Sequence, residues 1–194
     1  MNNKWINPLG PLLAEFYSHA DPSPASIACI KHHVLDLGVV HAHAGILAVL
    51  PCAIEGGRFD FDEGGWPAVV IEVLDEDDET TVDLCAWLAD RPDCFGTALG
   101  AAVVLGATNI TNPATWAFDG LLHIHRRPLD WMKAGCRGVV ILDHRDSAVL
   151  LGSALGPMVA EDEAHARDLK LMLCAPPVDP RNILLRVAMA RRAA

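Results

Sequence analysis

The sequence lacks most of the features by which a chain declares its compartment or its chemistry. No charge-free apolar run reaches the ~20 residues that a bilayer span needs. From Cys94 to Phe118 the apolar part ends near Ala107, before Thr108-Asn109-Ile110-Thr111-Asn112-Pro113, and Leu37–Ile54 carries His41, His43 and Pro51. Both stretches are expected in a core and not in a membrane. Met1-Asn2-Asn3-Lys4-Trp5-Ile6-Asn7-Pro8 holds no apolar leader of the secretory kind. The cysteines, Cys29, Cys52, Cys85, Cys94, Cys136 and Cys174, form no C-x-x-C pair and mostly sit in apolar runs. Buried, reduced thiols and a cytoplasmic protein are the expectation.

Familiar catalytic signatures are missing as well. There is no G-x-x-x-x-G-K-[ST], no strand-anchored G-x-G-x-x-G, no G-x-S-x-G elbow and no H-E-x-x-H. Triphosphate hydrolysis, dinucleotide binding, α/β-hydrolase chemistry and zincin proteolysis thereby lose their usual marks. Nor is there a dense Lys/Arg stripe. The formal charge is −10, and Glu55 to Asp93 contains 13 acids against only Arg58 and Arg91. Such a lobe repels phosphate backbones, so direct nucleic-acid binding is not expected.

What is present is a globular chain of 194 residues, 52% hydrophobic and 21% charged, long enough to bury a substantial core. Residues 1–24, broken by Asp21-Pro22-Ser23-Pro24, read as irregular, and Ile27, Ile30, Val34 and Leu37 recur at helical spacing over Ser26–Leu37. The middle reads as an antiparallel meander. Its strands are Ala44–Cys52, the alternating Arg58–Asp62, Pro67–Leu74 and Thr80–Leu88, the last two joined as a hairpin by the acidic run Asp75–Glu79. That run reads as a solvated turn with no folding role. A helix is expected over 94–107. Strands at Leu121–His125, Gly138–Asp143, Gly156–Ala160 and Asn182–Met189 then alternate with helices at Leu129–Ala134, Ser147–Ala154 and Glu161–Cys174. The fold class is α+β: an N-terminal helix and antiparallel meander lobe over 1–93, then a smaller α/β lobe over 94–194 that shares its core, with a single domain 1–194 as the other division.

Two H-x-H pairs, His41/His43 and His123/His125, would each present both imidazoles on one face if they lie on strands, and neighbouring pairs could hold a divalent metal ion. A half-exposed polar row is the simpler account. Asp143 and Asp146, after the apolar run Gly138–Leu142, are the best-placed carboxylates for catalysis, because ligands gather at strand carboxyl ends in open α/β sheets. Asp in that position also caps or opens a helix. Glu72 stands inside an apolar strand and is expected to face solvent, opposite Ile71 and Val73. Cys136 would serve as a nucleophile only beside the histidines at 123 and 125.

His125-Arg126-Arg127-Pro128-Leu129-Asp130-Trp131-Met132-Lys133-Ala134-Gly135, followed by Gly138–Asp143, resembles a stretch of uncharacterised bacterial proteins from phage and plasmid neighbourhoods, some of them associated with replication and toprim-like domains. A toprim site needs a Glu at one strand end and Asp-x-Asp at another. Glu72 and Asp143-His144-Arg145-Asp146 depart from that spacing, so the resemblance assigns no functional residue. The expectation is an accessory or binding module without its own catalysis or cofactor, of mobile-element origin. The alternative is a metal-dependent hydrolase or phosphoryl-transfer enzyme using the Asp and His residues above. Apolar content and a mean hydropathy of +0.25 favour a homodimer, and an unidentified protein partner is the other candidate.

Overall fold

Alternating residues in the middle of the chain close a barrel whose outer wall carries a second, parallel-stranded sheet. The computed structural model describes residues 8–19, 24–33, 35, 38, 47–77, 79–117 and 119–174. His41, His43 and the strand expected at 182–189 lie outside them. The fold class is α+β. Helices α1 (Leu9–His19) and α2 (Pro24–His32) precede strands β1 (Leu47–Glu55), β2 (Arg58–Phe61), β3 (Trp66–Leu74), β4 (Thr81–Leu88) and β5 (Phe95–Thr97). These close in the order β1-β2-β5-β4-β3. All neighbours are antiparallel except β2 and β5.

A five-stranded barrel has a narrow interior, and Ala48, Cys52, Ala68 and Ala86 supply the small side chains that let it close around Leu50, Phe59, Val70, Leu84 and Leu88. Phe16 of α1 is fully buried in the same cluster. This helix was not expected. Leu9, Leu12, Leu13 and Phe16 fall at helical spacing, and burying that stripe against the barrel outweighs the Pro and Asn around it.

The opposite faces of β3 and β4, with Val69, Ile71, Val73, Cys85 and Trp87, are also buried, against Leu105, Leu129, Trp131, Met132 and Val140. Glu72 therefore has no wet face. It is 7% exposed, accepts hydrogen bonds from the hydroxyls of Tyr17 and Thr81, and ties α1 to the barrel. The acidic turn has a modest local role too, since Asp77 Oδ1 accepts from the amides of Glu79 and Thr80 at 3.0 and 3.2 Å.

The helix expected over 94–107 is replaced by β5, a loop and β6 (Val104–Leu105). Gly96 packs so closely on β2 that a Cβ there would stand 2.6 Å from the Gly57 carbonyl carbon. Gly100 takes φ +63°, open to glycine at little cost. The buried Asp83 carboxylate then collects amides from the turn: Oδ1 accepts from Leu84 and Leu99, Oδ2 from Ala101 and Ala102. Because β5 completes the barrel, the barrel extends past residue 93.

Beyond β6 come α3 (Thr108–Thr111), α4 (Pro113–Trp116), β7 (Leu122–His125), α5 (Pro128–Lys133), β8 (Val139–Ile141), α6 (His144–Leu151), β9 (Met158–Ala160) and α7 (Glu163–Cys174). The sheet order is β6-β8-β7-β9, with β7, β8 and β9 parallel and β6 antiparallel to β8. Among the described residues, no helix is long and apolar enough to cross a membrane.

Candidate functional site

Strand order locates the site. From β7 the chain moves to one side to form β8, then returns across β7 to form β9 on the other side. The connection reverses at the carboxyl ends of β7 and β9, and a crevice at such a switch point is where open α/β sheets take ligands. β7 delivers His125 and Arg126 to that point, and β9 delivers Glu161 and Asp162.

These four side chains meet. The His125 Nδ1 lies 3.4 Å from Glu161 Oε1, and the Arg126 guanidinium reaches Asp162 Oδ1 at 2.9 Å, Glu161 Oε2 at 3.9 Å and Asp168 Oδ2 at 4.0 Å. The Arg126 amide also donates to Glu161 Oε1 at 3.3 Å. His125 donates its Nε2 proton to the carbonyl of Arg137 at 3.0 Å, which fixes the ring with Nδ1 toward the carboxylate.

The start of α7 locks the acidic side. Asp162 Oδ1 accepts from the His165 amide at 2.8 Å while His165 Nδ1 accepts from the Glu161 amide at 3.3 Å, a reciprocal arrangement of the capping-box type. The amide of His165 and the Arg126 guanidinium hold the Asp162 carboxyl below its ordinary range. Burial, with Arg126 nearby, pushes the His165 imidazole down.

Two cavities open beside this cluster. One of about 270 Å³ is lined by His125, Arg126, His144, His165 and Asp168. It shares Phe95, Ile141, His144 and Met172 with a cleft of about 1240 Å³ between the β2–β5 edge of the barrel and the carboxyl end of β8, where Arg58, Asp93 and Asp143 face the opening.

The candidate residues do not gather into one constellation. Asp143 lines the large cleft, whereas Asp146, in the first turn of α6, lines a separate groove. His123 pairs with Asp119 at 2.9 Å on the surface, its ring stacked 6.5 Å from that of His125. Among the described residues no group of three or more His, Cys, Asp and Glu could hold a metal ion. Cys136 is buried and its thiol is pushed up to about 12, so it is protonated and a poor nucleophile at neutral pH. All six cysteines are free thiols.

Arg126, Glu161, Asp162 and His165 were missed in the sequence. Nothing in the one-dimensional pattern says that β9 lies beside β7.

The protein is thus defined by a small closed barrel whose wall supports a three-stranded parallel unit with one antiparallel edge. A primase of Aquifex aeolicus, in the crystal structure of its zinc-binding and RNA polymerase domains, has a similar fold: TM-score 0.56 at 11% identity, over 83% of this chain and 50% of that one. The chain thus matches half the length of that structure. No family model matches the sequence, and no curated protein matches it.

Proposed function

We propose that this chain is an accessory or binding module on a primase-like scaffold, of mobile-element origin, without catalysis of its own. The carrying observation is the ion-pair cluster at the β7/β9 switch point. Carboxylates that serve a divalent cation must be free to turn their oxygens toward one point about 2.0–2.2 Å away. Here Asp162 is committed to the α7 amide and to Arg126, and Glu161 to His125 and Arg126. The positive charge that a metal would bring is supplied by the protein itself, so the residues present do not fit a metal centre.

The ligand surface in this account is the large cleft, and the partner is a protein. Asp93 and Asp143 in its lining, and the −10 charge of the chain, oppose a phosphate backbone there despite Arg58. The phage- and plasmid-associated proteins that residues 123–143 resemble, and the likeness of the fold to that of a primase, support a replication setting for the module. The free thiols support a reducing, cytoplasmic one. Exposed Leu155 and Met158 beside β9 offer surface for a homodimer.

Metal analysis of the purified protein, with manganese titration and assays of phosphodiester hydrolysis and nucleotide polymerisation, tests this function. The expected result is no stoichiometric metal and no turnover. Bound metal or turnover lost in Glu161→Gln would overturn it in favour of metal-dependent phosphoryl transfer. Tight binding of a single-stranded oligonucleotide at physiological salt would overturn the choice of a protein partner.

A further inference from the structure

The large cleft holds two hydrogen-bonding side chains that the fold itself does not use. Arg58 opens β2 directly after Gly56 and Gly57, whose φ of +58° and +77° make the tight turn from β1. In the parallel register it stands opposite Thr97 of β5. Period two puts both side chains on the outer wall of the barrel, because Phe59, next to Arg58, fills the interior and Cys85, the β4 partner of Thr97, packs outward. Both residues line the cleft.

Among the described residues the Arg58 guanidinium enters no ion pair or hydrogen bond. The Thr97 hydroxyl has no hydrogen-bond partner either, although Thr97 is only 4% exposed. Its amide alone is used, donating to the Gly57 carbonyl at 3.1 Å. A buried hydroxyl left in this state costs stability unless something outside the fold completes it. The guanidinium is also held in place. It lies against Gly100, where a Cβ would overlap it.

The fork of a guanidinium offers parallel N–H groups and the hydroxyl adds a third donor, a set that fits a planar carboxylate. Asp93 and Asp143 in the same lining raise the cost of every added negative charge, which favours a carboxylate over a doubly charged phosphate. Apolar surface begins one side chain away. Phe95 lies on the same face of β5 two residues before Thr97, roughly 7 Å along the strand. With Ile141 and Met172 it continues from the cleft into the small cavity. The residue that brings the carboxylate must therefore carry an apolar side chain of its own. The last residue of a chain can do so, and Asp or Glu cannot.

We propose that Arg58 and Thr97 receive the C-terminal carboxylate of the partner protein, with the apolar side chain of its last residue packed on Phe95, Ile141 and Met172. This rests on the reading of the large cleft as a protein-binding surface. It adds the chemistry of the segment that enters.

The test titrates the isotope-labelled full chain with N-acetyl-phenylalanine, a mimic of a chain terminus, and follows backbone amides by nuclear magnetic resonance. The expected result is a saturable shift centred on Gly57, Arg58 and Thr97, with an affinity of about 1 mM and about tenfold weaker binding of N-acetyl-phenylalaninamide and of N-acetyl-aspartate amide. Arg58→Gln should abolish the response and Thr97→Val should weaken it several-fold, both at wild-type melting temperature. No saturable shift, shifts centred elsewhere, an equal response to the phenylalaninamide, or an affinity unchanged in Arg58→Gln would each overturn the proposal. Equal binding of the aspartate amide would overturn it in favour of an internal acidic side chain, and tighter binding of inorganic phosphate in favour of a phosphate ligand. A failure confined to the terminal carboxylate leaves the cleft open to a protein of other chemistry, whereas a single-stranded oligonucleotide bound there removes that reading as well.

Discussion

Asp83 offers the sharpest test of how the barrel is joined to the second sheet. Its carboxylate is fully buried and accepts four backbone amides, three of them from the turn that leads out of β5. In Asp83→Asn the remaining oxygen would stay on Leu84 and Leu99, because those bonds, at 2.8 and 2.9 Å, are the shorter pair against 2.8 and 3.2 Å to Ala101 and Ala102. The new amide NH₂ would then point at the Ala101 and Ala102 N–H groups, donor against donor. Hydrogen bonds to a charged group contribute about 1.5–3 kcal/mol each, and an unpaired buried donor costs about 1–3 kcal/mol. Ala101 is exposed and can turn to water, which halves the loss on that side. The expected destabilisation is about 2–4 kcal/mol, a large part of the ~5–15 kcal/mol typical of a domain. With a urea m-value of about 2 kcal/mol/M, the unfolding midpoint should fall by roughly 1–2 M. Amide exchange at Ala102 should rise with it. A shift under about 0.3 M, within the error of such extrapolations, would refute the assignment of Asp83 as the clamp.

Tyr17 is the sole tyrosine, so ultraviolet phenolate absorbance reports it alone. Its hydrogen bond to Glu72, then burial, push its pKa up to about 12, and the native titration should move back toward the ordinary value of 10.0 in Glu72→Gln. The stability gained by the raised value is present below 10.0 and is lost as pH rises through about 12. An unchanged titration would sink the α1 latch. Gly96→Ala should prevent barrel closure, because the added Cβ meets backbone at 2.6–2.7 Å that cannot swing aside as a side chain can; a wild-type melting temperature would count against the β2–β5 contact. For His165, the depressed folded value means that the neutral ring is favoured by folding. Its contribution is therefore complete above the unfolded value of about 6.5 and is lost as pH falls from there through the folded value. Melting temperatures should decline over that window and decline less in His165→Asn; identical slopes would refute the role of the ring in capping α7.

The meander was legible because alternation survives even where both faces of a strand are buried. For the same reason Glu72 was misjudged: period two says that a side chain changes face, not that the other face is wet. β3 has no wet face, since one side fills the barrel and the other packs on Trp131 and Leu129. The hairpin between β3 and β4 and the alternation from β7 to α7 lie close to where the pattern puts them. The stretch over 94–107 failed because its conformation is set from outside, by Asp83 drawing in amides from 15 or more residues away and by β2 pressing on Gly96. Apolar composition there reports burial and not shape.

The site was hidden for a different reason. A switch point is a property of strand order, and the return of the chain across β7 leaves no trace in local pattern. Asp143 was visible because it follows a long apolar run, while Glu161 and Asp162 follow a three-residue strand. That shortness has a physical consequence. β8 and β9 have three residues each and can supply few ladder hydrogen bonds. Side chains make up the difference: Arg126 and His125 bind the end of β7 to Glu161 and Asp162, and Asp162 in turn fixes the first turn of α7. Exposed ion pairs taken singly contribute about 0–1 kcal/mol, but a network that shares one guanidinium among three carboxylates restrains that side chain only once. The cluster therefore acts first as the joint between two short strands. Residues committed to a joint are poorly placed to exchange ligands with a metal, and the function proposed above rests on that commitment.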